Sequence, residues 1–227
     1  MSSQSSFMFK NQKLNFLEKT NHKLTKNYTF TENLAVIFDL EFTSWPGSLG
    51  RNWSLANEYK EIVQIGAVKI ETIGNLKEVS SFELLVKPIK NPILSDYIVK
   101  LTRITQEKIE KGGILFPVAL SHFKKFIGKQ PTNILCNGGD IETLEENCQI
   151  HSIPLPSVFT QLTDLRPYFS EGLEISQKDC ISSALPELFG LNNFEKPHDA
   201  LGDAKSIAQV LRFLSMKKNS GKQSSKC

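Results

Sequence analysis

The 227-residue sequence has no Cys-x-x-Cys pair, no internal repeat and no apolar run near the length of a membrane span. Its four cysteines, Cys136, Cys148, Cys180 and Cys227, are scattered, which argues against a disulfide framework or a clustered zinc site and fits free thiols in a reducing compartment. The longest apolar stretches are Leu34 to Phe38 and the Pro-interrupted Ile114 to Leu120, far short of the roughly 20 residues that cross a bilayer. The first thirty residues lack Arg and lack a compact apolar block followed by small residues. Neither a mitochondrial presequence nor a secretory signal is therefore expected, and the chain reads as cytoplasmic. What is present is 40% hydrophobic residues, enough for one ordinary core and too many for a wholly disordered chain.

The formal charge of +3 conceals a division. Residues 1–33 carry five Lys against Glu18 and Glu32, a net +3, and residues 215–227 carry four Lys and no acid, a net +4. The body, 34–214, is left at −4. The polar, Lys- and Asn-rich opening reads as a flexible basic arm, and 215–227 as a basic disordered tail. Between them one folded domain is expected over 34–214. If the basic ends hold a polyanion electrostatically, deleting them weakens binding and flattens its salt dependence.

Leu34 to Phe38 is a continuous apolar run that stops at Asp39, the pattern of a strand buried on both faces. Glu61 to Ile70 and Val79 to Val86 predict two more strands around a Gly74-Asn75 turn, giving an antiparallel meander. Helical spacing follows over Leu101 to Ile109 and Phe116 to Ile127. Asn133 to Cys136 predicts a fourth strand, Gly138-Gly139 a turn, and about Asp140 to Cys148 a helix. A fifth strand is expected near Val158 to Leu162, with helices at about Cys180 to Phe189 and Asp199 to Leu214. The sum is a mixed α/β sheet of five strands with helices packed on it.

Asp39 and Glu41 stand two apart at the end of the first strand, so their side chains share a face. Two carboxylates in one partly desolvated volume call for a cation, and hard divalent ions prefer such oxygens. A strand running out into a solvated acidic turn fits the same two residues. Asp140 follows a Gly pair and opens a helix, where it serves equally as an N-cap. His198-Asp-Ala-Leu-Gly-Asp203 opens the last helix. Neutral imidazole is suited to accept a proton near neutral pH, whereas Asp199 and Asp203 are four apart on one helix face, and spacing does not choose between them. Arg51, Lys60, Arg103 and Arg166 are solvated cations or contacts to an anionic group such as phosphate, and Phe42, Thr43 and Trp45, just past the acidic pair, either pack over the sheet edge or line a bound ligand, since aromatic faces stack on any flat ring.

The order of these pieces resembles the DEDD exonucleases of the histidine subclass, the DnaQ-like 3′→5′ exonucleases. The segments Phe38-Asp-Leu-Glu-Phe-Thr-Ser-Trp45, Glu61-Ile-Val-Gln-Ile-Gly-Ala67, Asn91-Pro-Ile-Leu-Ser-Asp-Tyr97, Leu101-Thr-Arg-Ile-Thr105 and His198-Asp-Ala-Leu-Gly-Asp-Ala204 are similar to segments of bacterial members. The resemblance covers about 34–214 and implies a ribonuclease H-like fold. It implies Asp39, Glu41, Asp140 and Asp203 as ligands of two Mg²⁺ or Mn²⁺ ions, His198 as general base, and Leu101 and Thr102 beside the last base. It favours Asp203 over Asp199. Family members commonly have Gly where Arg103 stands.

Two cations about 4 Å apart acidify an attacking water and stabilise the leaving 3′ oxygen. The expected activity is thus stepwise hydrolysis of single-stranded DNA or RNA from its 3′ end to nucleoside 5′-monophosphates. One rival is a trimmer restricted to RNA or short oligonucleotides, because the 2′-hydroxyl contact comes from loop geometry. Another is a non-catalytic nucleic-acid-binding module, which the complete acidic set argues against. No protein partner is legible.

Overall fold

Strand β1 explains most of the architecture. In the computed structural model, which describes residues 28–223 except 194, with side chains to residue 216, β1 spans Leu34–Phe42 and carries the acidic pair near its end, as expected. It pairs antiparallel with β2 (Ile62–Glu71) and parallel with β5 (Asn133–Cys136). Strand β3 (Glu78–Lys87) completes the expected meander by antiparallel pairing with β2. The alternation of β1 divides the core. Val36, Phe38 and Leu40 face a cluster with Phe116, Phe123, Leu144 and Phe159. Ala35 and Ile37 face the other way, onto Phe169, Ala204, Ile207 and Leu211. Asp39 and Glu41 continue this second row, so the strand's period of two aims both carboxylates at the face covered by the last helix.

The sheet has six strands, not five, in the order β4-β3-β2-β1-β5-β6. The two additions, β4 (Ile114–Leu115) and β6 (Thr163–Asp164), are two residues long, too short to show alternation. The expected strand at Val158 to Leu162 is instead a 3-10 helix, Ser157–Gln161, following Pro156. Its apolar residues serve one-sided packing: Phe159 is buried while Val158 and Leu162 lean on the same cluster.

The helices, numbered along the chain, are α1 (Ser48–Arg51), α2 (Asp96–Thr102), α3 (Gln106–Gly112), α4 (Phe116–Ile127), α5 (Asp140–Ile150), α6 (Arg166–Leu173), α7 (Leu185–Leu188) and α8 (Ala200–Gln223). The single helix expected over Leu101 to Ile109 is two. Arg103 closes α2 in the left-handed region, and Thr105 caps α3 by accepting from Lys108 N at 3.3 Å. The helix expected over Cys180 to Phe189 is shorter, a 3-10 turn at Ser182–Ala184 running into the four residues of α7; Pro186 lacks the N–H that a longer helix would need. Helix α8 continues past Leu214 into the segment expected to be a tail. The end of the N-terminal segment docks on the body: Tyr28 and Phe30 pack on the core, and Glu32 N donates to Asn133 Oδ1 at 3.1 Å. The rest of the expected arm, 1–27, lies outside the described residues. Cys136, Cys148 and Cys180 are free and buried, and no described helix is long and apolar enough to cross a membrane.

Candidate active site

The approach of α8 to the sheet is governed by β2. Gly66 pairs with Asp39, and Gln64 with Glu41. A Cβ on Gly66 would lie 2.0 Å from Leu201 N and 2.2 Å from Ala200 C, so only glycine lets the first turn of α8 rest on the strand. Gln64, buried, then fixes that turn. Its Oε1 accepts from Ala200 N at 3.0 Å, and its Nε2 donates to Asp199 Oδ1 at 2.9 Å and Glu83 Oε1 at 2.8 Å. Asp199 caps the helix through Oδ2, which accepts from Gly202 N at 3.3 Å. Asp203, one turn further, faces the sheet. The choice between the two aspartates that spacing left open is thus made by the cap.

Ligand atoms of Glu41, His198 and Asp203 all lie within 4.8 Å of one another. Asp39, Asp140 and Asp203 are near enough to raise one another's or their neighbours' pKa. Asp140 opens α5, but the cap is Gly139, with no side-chain bond; the Leu40 backbone on β1 lies near enough to the Asp140 carboxyl to lower its pKa. The capping role that its position predicted is therefore not the one it takes. All four acids are buried.

Electrostatics in this volume are unfavourable to four bare anions. Burial first, then Asp140, Asp203 and Glu41, hold the Asp39 carboxyl well above the carboxylate range. Burial, then Asp203 and Asp140, do the same to Glu41. Burial pushes Asp140 up to about 7 against the opposing pull of Arg166, and Asp203 up to about 7 against a hydrogen bond from the His198 backbone. Asp203 Oδ1 is buried with no hydrogen-bond partner. A cluster of oxygen donors with an orphaned buried oxygen fits a hard divalent cation, which would restore the ionised forms. Burial, then the nearby Arg103 charge, lower the His198 pKa, and its backbone is left-handed at φ 57. A neutral imidazole thus stands beside the acids.

The residues expected to line the substrate are held by the loop after β1. Thr43 Oγ1 donates to Tyr59 O at 2.5 Å and accepts from Glu61 N at 3.0 Å, so its hydroxyl secures the loop. Phe42 meets the Trp53 ring edge-on at 5.4 Å. Trp45 is half-buried and tied to Ser48, whose Oγ accepts from its N–H at 2.8 Å. Thr102 Oγ1 donates to Ile98 O at 2.9 Å and accepts from Ile104 N at 3.1 Å, and Leu101 leans on the small core beneath α2. Glu61, buried, accepts from Ile89, Lys90 and Asn91 N–H groups at 2.5–3.0 Å and fixes the chain leading to α2. Sequence reasoning passed over Gln64, Gly66 and Ser182, whose hydroxyl bonds Asp39. The available signal was a lone amide and a glycine in an otherwise apolar strand.

The human 3'-5' exoribonuclease 1 is 25% identical over 158 residues, 66% of this chain and 45% of the human protein. The probable 3'-5' exonuclease KapD of Bacillus subtilis is 29% identical over 127 residues, covering 56% and 58% of the two chains. The chain therefore spans less than half of the human relative's length. Among solved structures, the nuclease domain of 3'hExo, a DEDDh family member bound to rAMP, superposes with a TM-score of 0.71 at 22% identity, over 83% of this chain and 94% of that one. The six-stranded mixed sheet with its helices is thus a ribonuclease H-like exonuclease fold. Residues 36–211, from β1 through the helix that carries Asp203, match the RNase_T exonuclease model, and the chain belongs to that exonuclease family.

Proposed function

We propose that this chain is a divalent-metal-dependent 3′→5′ exonuclease of the histidine subclass, with its working domain over 34–214 and its substrate the 3′ end of a single strand. The observation that carries the reading is the gathering of Asp39, Glu41, Asp140, Asp203 and His198 into one buried acidic cluster inside the family-matched region. Asp39, Glu41, Asp140 and Asp203 are the ligands assigned to two Mg²⁺ or Mn²⁺ ions. Such ions, when bound, supply charge neutralisation, a more acidic water and a stabilised leaving oxygen. His198, held neutral by burial and by Arg103, accepts the water's proton at an imidazole nitrogen as water oxygen bonds to phosphorus. The bond from phosphorus to the 3′ oxygen of the penultimate nucleotide breaks, and a nucleoside 5′-monophosphate leaves. Phe42, Thr43, Trp45, Leu101 and Thr102 border the terminal nucleotide.

A second reading, restriction to RNA, is favoured by the relatives, since those in human, rat and cattle are named exoribonucleases. Digestion of matched DNA and RNA strands, single and double, with Mg²⁺ or Mn²⁺ tests both. Stepwise shortening from the 3′ end that stops with chelator is expected; internal cutting or metal-independent cleavage overturns the proposal. Equal rates on both sugars refute the RNA restriction.

A further inference from the structure

Three of the four cations that the sequence offered as phosphate contacts are engaged within the fold. Arg51 donates through Nε to Glu58 Oε2 at 2.9 Å, through Nη2 to Glu58 Oε1, and through Nη1 to Pro46 O at 2.7 Å. Lys60 Nζ pairs with Glu146 Oε1 at 3.1 Å and lies 5.0 Å from the Trp53 ring centroid. Arg166 Nη2 donates to Asn137 O at 3.0 Å and occupies the space a side chain at Gly138 would need, 1.6 Å from its notional Cβ. Arg103 differs. It is exposed, and its guanidinium makes no hydrogen bond or ion pair with the described residues.

Its backbone, by contrast, is tightly specified. Arg103 N donates to Val99 O at 2.9 Å, Lys108 Nζ donates to Arg103 O at 3.0 Å, and φ is 63 with ψ 15. This left-handed position at a helix end is one that glycine fills without strain. A long β-substituted residue held there, on a loop bordering the acidic cluster, is an outlier that calls for a functional reason. Its charge reaches His198, which precedes α8. A site lined by four acids repels a phosphate backbone, and a guanidinium fork without an acidic partner matches a phosphate's oxygens.

We propose that Arg103 is a substrate-binding residue whose guanidinium takes a phosphate of the bound strand on the His198 side of the site. The inference rests on the exonuclease reading for its substrate but is measured separately from it. Full-length wild type, Arg103→Gly and Arg103→Lys are compared for binding of a 5′-fluorescein-labelled single strand by anisotropy in Ca²⁺ across a salt series, and for hydrolysis in Mg²⁺. Arg103→Gly is expected to raise Kd and KM roughly five- to tenfold and to make the slope of log K against log salt shallower by about 0.7. Its melting midpoint should equal or exceed that of wild type, because glycine suits the backbone. Arg103→Lys should keep most of the salt slope. Unchanged Kd and slope in Arg103→Gly overturn the proposal, as does weaker binding with the wild-type slope. A wild type that binds in an Arg103-dependent way without cleaving refutes the exonuclease reading alone.

Discussion

The Asp203 carboxylate has one buried oxygen with no hydrogen-bond partner, and its proton is held up to about 7. Asp140 behaves alike. Since the ordinary aspartate value is 3.8, the metal-free folded chain binds more protons than the unfolded chain between about 4 and about 7. These groups therefore favour folding fully below about 4, and that contribution is lost as pH rises through about 7. The melting midpoint of chelated protein should fall between pH 5 and pH 8, and saturating Mg²⁺ should flatten the fall by binding only the folded cluster. Equal pH slopes with and without the ion would remove the metal assignment. Asp203→Asn separates stability from function at the same atom. In chelator at pH 8 it should stabilise the fold by roughly 2–4 kcal/mol, while metal-dependent turnover is lost. Thermal melts and a cleavage assay on the same preparation check both. As the proposed base, His198 should act on the rate instead. The acid limb of the pH–rate profile should lie below the ordinary 6.5 and disappear in His198→Ala, with kcat reduced on the order of 10²–10⁴; a profile unaltered by the substitution excludes the base.

At the scale of elements, the decisive contact is that of α8 with β2. Gly66→Ala forces a methyl group into the backbone of Ala200 and Leu201. It should cost about 2–4 kcal/mol and slow turnover further, because the displaced turn carries Asp203. Gly50→Ala, where nothing lies within 4 Å of the added carbon, is the matched control and should shift stability by no more than about 0.5 kcal/mol. Denaturant melts on the pair make the comparison, and similar midpoints would mean that α8 does not depend on this close approach. The same contact shows what the sequence could disclose. Strands β1, β2 and β5 were legible because buried strands announce themselves by apolar content, β3 because its sequence alternates, and Asp39 and Glu41 because a period of two places them together. The break at Arg103 was not, because helical spacing runs on through it while the left-handed turn is set by the chain leaving α2. Strand β6 was hidden because two residues carry no period, and the nearby apolar run around Phe159 mimics a strand. Asp140 was left open between cap and site because an aspartate beside glycines at a helix start suits both roles; in the structure Gly139 takes the cap position.

Across the whole molecule, charge is unevenly placed. The body at −4 contains the acidic cluster, and in the proposed function bound cations would offset that charge where a phosphate approaches. The basic ends carry charge of the opposite sign. Tyr28 and Phe30 pack on the core, so a truncation that spares their contacts ends at residue 27. Residues 1–27 hold five lysines against Glu18, a net +4. Removing 1–27 takes away that charge and keeps Tyr28 and Phe30. If these lysines meet phosphates of a long single strand, each contributes about 0.7 to the slope of log K against log salt. The truncated chain should then bind a long strand more weakly at low salt, with the difference closing as salt rises. Its kcat on a dinucleotide should be unchanged, because so short a substrate is held within the site and extends no further along the surface. Parallel binding curves for the two chains at every salt concentration would show that the segment does not touch nucleic acid, and the long-strand affinity would then belong to the body and to Arg103.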